Sequence, residues 1–229
     1  MQINQFSILE LMGALNSVET KNAPERLYTV GDVQLLRMGK RVSLVGSRKA
    51  TENGLRRAEK LTRKLAEHGI IIVSGLAEGI DTVAHQTAIN LHIPTVAVLG
   101  NAVDQFYPAK NRKLQEAIMN DYLVVSQFPV GYPAKRENYP QRNRVMALLS
   151  DATVIVEAQD KSGSLHQGWE ALRLGRPLYI LESSVNDSSL SWPKELLKYG
   201  AEILSDRNFL DLISSLPEGS REERAEVTF

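Results

Sequence analysis

A doubly wound α/β fold, with a mostly parallel sheet and helices on both faces, is the architecture this sequence predicts, and three observations predict it. Short β-branched apolar runs alternate with segments of helical periodicity from residue 41 to residue 181. The runs are predominantly apolar rather than alternating with polar residues, as strands covered on both faces are. Several end in a turn of small residues, as SGLAEG does at 74–79, just before the next helix. In such a sheet the crossovers are right-handed and ligands sit outside the carboxyl ends of the strands.

Taken in order, residues 6–15 read as a short amphipathic helix and 16–25 as a polar connection. Residues 27–31 and the Leu35-Leu36 pair read as short pieces leaning on the main domain, so that 1–39 form an N-terminal appendage without visible chemistry. The main domain, 40–217, opens with a strand at 42–45. The helix that follows, from about residue 52, carries Leu55, Ala58, Leu61 and Leu65 on one face and Arg56, Arg57, Lys60, Arg63 and Lys64 on the other, a solvated surface. A second strand at 70–73 leads through Ser74, Gly75 and Gly79 into a helix opening near Asp81. Then come a strand at 94–99, a loop at 104–108, a helix at 111–120 and a strand at 122–126. A Pro-containing basic loop at 131–138 precedes a helix to 149 with Pro140 in its first turn, a strand at 153–156, a helix at 164–174 and a strand at 177–181. Beyond 182 the signal weakens to a polar loop at 183–191, a helix at 192–199, an edge strand at 201–204 and a closing helix at 208–216. Residues 218–229 are too polar to bury and are expected to be disordered.

Composition narrows the function classes. With 229 residues, 43% hydrophobic and 24% charged, the chain is long enough for a real core and ordinary for a soluble globular protein. No cysteine is present, which excludes disulfides, thiolate nucleophiles and sulfur ligands to a metal. No apolar segment is long enough to span a bilayer, so a cytoplasmic protein without membrane contact is expected. The four histidines, at 68, 85, 92 and 166, lack the spacing of a zinc site, and neither metal nor cofactor is expected. Residues 40–182 carry 19 basic and 14 acidic side chains, against 3 and 4 in 1–39 and 5 and 9 in 183–229. That basic centre suits a polyanionic partner, or is simply a solvated surface.

Three strand ends read as converging on one crevice: Gly46-Ser47-Arg48, Ser74-Gly75-Leu76 with Gly79 and the helix start beyond it, and Lys161-Ser162-Gly163-Ser164. Each joins a glycine to a hydroxyl or basic side chain, a combination that binds phosphate through N–H, O–H and guanidinium groups. The plainer reading is that the glycines only make tight connections. Facing them, 135–144 sets Lys135, Arg136, Arg142 and Arg144 around Tyr139. A single strand of nucleic acid needs that mixture, charge for its backbone and a ring for its bases, although a tyrosine ahead of a helix is also a common packing anchor. Asp81 and His85, one helical turn apart, resemble a catalytic pair; without a nucleophile nearby or a metal cluster, a structural hydrogen bond is the reading for both.

GSR at 46–48, VSGLAEGIDTVAH at 73–85, YP at 107–108, YPQRNR at 139–144 and SGSL at 162–165 together resemble the Rossmann domain of the DNA-processing protein A family, also called Smf, over roughly residues 24–181. The resemblance implies a Rossmann-like fold, single-stranded DNA as partner, a RecA-type recombinase loaded onto that DNA during natural transformation or recombination, and no catalytic reaction. It also implies a homodimer, which the apolar Leu190, Trp192, Leu196, Leu197, Phe209, Leu210, Leu212 and Ile213 of the closing segments would help to build. By the same resemblance Arg48 meets a DNA phosphate, Ser47 and Gly75 line its pocket, Arg136 and Tyr139 hold the strand, and Arg142 and Asn143 orient their loop. The chain departs from the pattern at 100–104 (GNAVD), at Gln127, and at 162–169, where His166, Gln167 and Trp169 are expected to change one wall of the pocket. It reads as a minimal or divergent member. The rival reading is a nucleotide-binding sensor, or a nucleotide-cleaving enzyme of the related LOG-type group; KSGSL at 161–165 replaces the PGGxGT turn of that enzyme branch, and the Gln167 to Trp169 wall favours the sensor.

Overall fold

The computed structural model describes residues 2–217, and the tail at 218–229 lies outside them. β1 (Asn4–Ser7) ends at a serine whose Oγ accepts the Glu10 N–H while the Glu10 carboxylate accepts the Ser7 N–H, a reciprocal cap that starts α1 (Ile8–Met12). Asn16 and Glu19 repeat the device to start α2 (Ser17–Asn22). The helix expected over 6–15 is therefore shorter and follows a strand, and the polar connection contains a helix, because these caps decide where helices begin.

Next come β2 (Arg26–Gly31), α3 (Gln34–Arg37), β3 (Arg41–Gly46), α4 (Glu52–Glu67), β4 (Ile71–Ser74), α5 (Ile80–Asn90) and β5 (Thr95–Leu99). A 3-10 turn at Ala109–Asn111 leads into α6 (Arg112–Asp121), β6 (Leu123–Ser126), α7 (Asn138–Leu149), β7 (Ala152–Glu157), α8 (Ser164–Arg173) and β8 (Leu178–Leu181). The chain closes with α9 (Glu182–Val185), a short helix inside the expected polar loop, then α10 (Trp192–Lys198), β9 (Glu202–Leu204) and α11 (Phe209–Ser215).

The strands form one sheet in the order β1-β2-β6-β5-β4-β3-β7-β8-β9. β1 pairs antiparallel with β2 and β2 antiparallel with β6, while every pairing from β6 across to β9 is parallel. The chain winds outward from β3 first one way and then the other, which is the doubly wound topology. One face is packed by α4, α5 and α11 through Leu61, Leu65, Ala84 and Leu212 on Val42, Leu44, Ile72 and Val154. The other is packed by α1, α3, α7, α8 and α10 through Leu11, Leu36, Met146, Leu148 and Trp192 on Val45, Val73, Val98 and Ile155.

One consequence of this order positions the site. β6 and β7 are separated by β5, β4 and β3, so the connection between them must traverse the sheet, and α7 makes that crossing. Its far end is fastened where the buried Arg41 donates through Nε to Leu149 O (2.7 Å) and through its backbone N–H to Asp151 Oδ2 (2.8 Å).

Candidate nucleic-acid interface

The first turns of α7 lie over the carboxyl ends of β3, β4 and β5, where Arg48, Gly75, Leu76, Gly100, Tyr107, Tyr139 and Arg142 line a shallow crevice of about 50 Å³. Arg142 forms its floor. The buried guanidinium donates to the carbonyls of Gly75 and Val98 and, through Nε, to Asn143 Oδ1 (2.9 Å), tying two strand ends to α7. A Cβ at position 75 would stand 1.9 Å from Arg142 Nη1, so residue 75 is glycine because the arginine passes there. From the first turn of α5, the buried Asp81 carboxylate accepts the N–H groups of Gly75 (3.1 Å) and Ala77 (3.3 Å). Two turn donors anticipated for a phosphate are thus engaged by the chain's own anion. Burial pushes the Asp81 carboxyl above its usual range, while the Arg142 charge and these N–H groups pull it back.

His85 is fully buried, with Nδ1 2.7 Å from Thr95 Oγ1, and Thr95 Oγ1 donates to Ile72 O (3.0 Å). Since the threonine proton goes to Ile72, the imidazole must donate through Nδ1, and the ring is neutral. Burial lowers its pKa to about 3. Asp81 fastens the turn after β4 and His85 fastens β5, each with its own partners, and neither lines the crevice.

The solvent side is built differently. The half-buried Tyr139 ring lies on Gly100, where a Cβ would come within 2.7 Å of the ring. The Arg48 guanidinium stands 5.4 Å and that of Arg142 6.0 Å from the ring centroid, within cation–π range. Tyr107, 52% exposed and joined to Pro108 by a cis peptide bond, brings its ring to 6.1 Å from Tyr139 at a 53° tilt. Burial and the neighbouring Tyr107 raise the Tyr139 hydroxyl pKa, which keeps it neutral. Glu78 on the rim pairs with Lys110, whereas Arg48 has no ion-pair partner among the described residues.

The chain has relatives. The family model of DNA recombination-mediator protein A matches residues 13–216. The chain belongs to that family. It is 36% identical over 200 residues to DNA processing protein DprA of Streptococcus pneumoniae, covering 87% of this chain and 70% of that one. It is 38% identical over 177 residues to Protein Smf of Synechocystis, where the match covers 77% of this chain and 44% of the relative. The X-ray structure of the pneumococcal protein superposes with a TM-score of 0.83 over 95% of this chain and 76% of that one, at 33% identity. DNA processing protein A of Helicobacter pylori, solved to describe its single-stranded DNA binding mode, superposes with a TM-score of 0.79 at 28% identity, covering 94% of this chain and 98% of that one. The chain thus spans from under half to about 70% of the length of the curated relatives named here.

In this member of the DNA recombination-mediator protein A family, Arg48, Gly75, Tyr139 and Arg142 come together as the crevice lining. Ser47 holds the frame beside them: its N–H donates to Glu157 O (2.7 Å), its carbonyl accepts from Ile80 N–H (3.3 Å), and its Oγ accepts from Lys49 N–H (3.1 Å). Gly46 and Gly79 pack at that junction, with Gly79 as the N-cap of α5, and Ser74 Oγ donates to Leu44 O (2.6 Å). Lys135 and Arg136 stand exposed on the loop before α7, outside the crevice lining.

The third anticipated strand end lies elsewhere. Ser162, Gly163 and Ser164 follow β7, which flanks β3 on the side away from β4, and they line no part of the crevice. Asn143 Nδ2 reaches across to Gly163 O (3.1 Å), and the Ser162 and Ser164 hydroxyls bond each other (2.7 Å). The end of β5, Gly100-Asn101, takes the third place instead. Gln167 does not form a wall: it is fully buried among Ser43, Thr153 and α7, and Trp169 packs edge-on against Tyr199 at 5.0 Å. Sequence reasoning leaves out Gly100 and Tyr107 as site residues, although a glycine after the third strand and the Tyr-Pro pair were available as signals. Of the apolar side chains assigned to a dimer surface, Leu190, Trp192, Leu196, Phe209 and Leu212 are buried in the chain's own core, while Leu210 is 62% exposed.

A larger cavity, about 250 Å³, opens between α4, the ends of β8 and β9, and α11. Its lysines Lys60 and Lys64 both close on Asp206 at 2.6 Å, and Arg57 faces Glu157 at 3.8 Å, so its cations are already matched by carboxylates.

Proposed function

We propose that the crevice binds single-stranded DNA, with a phosphate on Arg48 and a base on Tyr139, and that the protein acts in DNA recombination without catalysing a reaction. One observation carries this reading: an exposed arginine without a carboxylate partner stands 5.4 Å from the centroid of a half-buried tyrosine that rests on a glycine. Charge and ring are presented together, as a nucleotide strand requires. The single-stranded DNA binding mode of the H. pylori relative supports the same reading. Shape supports it as well, since a crevice of about 50 Å³ is far below the roughly 300–1,000 Å³ of pockets that enclose small molecules. The nucleotide-sensor and LOG-type enzyme readings have correspondingly little room, and the Gln167 wall that favoured them is buried elsewhere.

Family membership supports three further parts of the proposal: loading of a RecA-type recombinase, assembly as a homodimer and action in the cytoplasm. Among the described residues no helix is long and apolar enough to cross a membrane. The test is a titration of single-stranded oligonucleotide, duplex DNA and mononucleotide at two salt concentrations. Arg48→Ala should lower the single-strand salt slope by about 0.7, the value of one phosphate contact, whatever the sequence. Tyr139→Ala should weaken binding by about 1–3 kcal/mol and leave the slope nearly unchanged. Two variants that bind single strands as the parent does, with the same salt dependence, refute this placement of DNA.

A further inference from the structure

We infer that the bound strand continues beyond the crevice onto the loop between β6 and α7, where Tyr132 is a second stacking surface and Lys135 its phosphate partner. The inference rests on the DNA-binding reading of the crevice. Phe128 is buried and stacks against Tyr132 with ring centroids 5.3 Å apart and planes 25° from parallel. The Lys135 ammonium stands 5.8 Å from the Tyr132 ring centroid, and it has no ion-pair partner among the described residues.

The peptide that carries this ring is pinned. Tyr132 N–H donates to Pro129 O (3.0 Å), its carbonyl accepts from Gln105 Nε2 (2.8 Å), and the preceding Gly131 N–H donates to the Asp104 carboxylate (3.2 Å). Gln105 is held in turn, its carbonyl accepting from Asn101 Nδ2 (2.8 Å) and Gln115 Nε2 (3.0 Å). Asn101 and Tyr107 both line the crevice, so the loop that builds one crevice wall also clamps the Tyr132 platform.

A lone surface tyrosine carries no such meaning. Here a buried aromatic backs the ring, hydrogen bonds fix both sides of its peptide, and an exposed cation without an ion-pair partner among the described residues stands 5.8 Å from its centroid. Holding the ring in place before binding lowers the ordering penalty of stacking a base. A base arriving on the ring displaces the ammonium, which needs only a side-chain rotation to reach an adjoining phosphate. The pair therefore adds one stacked base and one phosphate contact, in a sequence-tolerant way, to what Arg48 and Tyr139 supply.

The signature is a dependence on strand length. Oligothymidylates of increasing length are titrated against the full chain, Tyr139→Ala, Tyr132→Leu, Tyr132→Trp and Lys135→Ala at two salt concentrations, with melting recorded on the same preparations. Tyr132→Leu should bind the shortest oligomers that engage the crevice as the parent does and lose about 5- to 150-fold on longer ones, the worth of one stacked base. Lys135→Ala should lower the salt slope by about 0.7 on long oligomers and leave it unchanged on short ones. Tyr132→Trp should restore long-oligomer affinity, with fluorescence quenched by long but not by short oligomers. If Tyr132→Leu and Lys135→Ala bind long oligomers like the parent while Tyr139→Ala is weakened, the extension is overturned and the crevice stands. If Tyr139→Ala also binds like the parent, the crevice reading itself has failed. Equal weakening of Tyr132→Leu on short and long oligomers, together with a lowered melting temperature, makes Tyr132 a packing residue and overturns the inference as well.

Discussion

Replacing Gly75 with alanine sets a methyl carbon 1.9 Å from Arg142 Nη1 and 2.4 Å from its Cζ, well inside the roughly 3.5–4.0 Å of a non-bonded contact. Gly75 does not have a positive φ, so the substitution adds no left-handed backbone strain and its effect isolates the collision. The turn cannot easily retreat, because Asp81 holds it at two N–H groups. Arg142 therefore has to leave its site, losing its bonds to Gly75 O, Val98 O and Asn143 Oδ1 and leaving the buried Asp81 without its countercharge. Losing the hydrogen bonds of a buried charged group and leaving their buried acceptors unsatisfied costs about 3–5 kcal/mol in all, out of a total stability of about 5–15 kcal/mol. For a chain of this size that lowers Tm by about 6–20 °C. The assay is a double-mutant cycle by urea and thermal unfolding over the parent, Gly75→Ala, Arg142→Met and the double variant. With the guanidinium already gone, the alanine should cost less than about 1 kcal/mol, giving a coupling of at least about 2 kcal/mol. An equal cost in both backgrounds, or a cost below about 1 kcal/mol in the parent, refutes the argument that Arg142 is what requires glycine at 75.

Two further predictions follow from other residues. His85 titrates near 6.5 in the unfolded chain and at about 3 when buried, so between those values the unfolded state binds more protons and stability falls as pH falls, by about 1.4 kcal/mol per unit and about 2 kcal/mol by pH 5. His85→Asn keeps an N–H donor near Thr95 and should flatten that part of the stability profile; identical profiles for parent and variant would show that His85 is not its source. A homodimer is expected from light scattering, with the exposed Leu210 and the partly exposed Ile203 on the closing edge as its apolar contacts and Leu210→Asp shifting the mass to one chain. A parent of single-chain mass across micromolar concentrations removes the dimer.

The parallel strands were legible because a strand covered on both faces is apolar at most positions, with only small hydroxyl residues such as Ser43 and Thr153 between. The runs at 42–45, 70–73, 94–99 and 153–156 fall within a residue or two of β3, β4, β5 and β7. β1 was not legible, because a four-residue strand with Phe6 as its one bulky apolar side chain is defined by pairing with β2, a partner about twenty positions away. Its neighbours α1 and α2 were written in the sequence in another form, as Ser7 with Glu10 and Asn16 with Glu19, which a search for apolar periodicity passes over. In the site, Arg48, Gly75 and Tyr139 were found from local chemistry. Choosing the third strand end required the strand order, and a Ser-Gly-Ser turn reads alike whichever side of β3 its strand occupies. The burial of Gln167 is likewise a property of how α7 and α8 pack over β3 and β7.

The charges around the crevice are largely matched within the chain, which bears on the proposed mode of DNA binding. In many doubly wound folds a ligand phosphate takes the free N–H groups at a helix N-terminus after a strand. Here the N–H groups of Gly75 and Ala77, in the turn just before α5, are engaged by Asp81, whose carboxylate also feels the nearby Arg142 charge. On the rim Glu78 is matched by Lys110. The uncompensated cation of the crevice is Arg48, on a solvent-exposed side chain. In the proposed binding mode a phosphate meets an exposed guanidinium rather than a cradle of backbone N–H groups, and the base meets the partly exposed rings of Tyr139 and Tyr107. On that proposal each contact is shallow and salt-screened, so affinity accumulates along the strand.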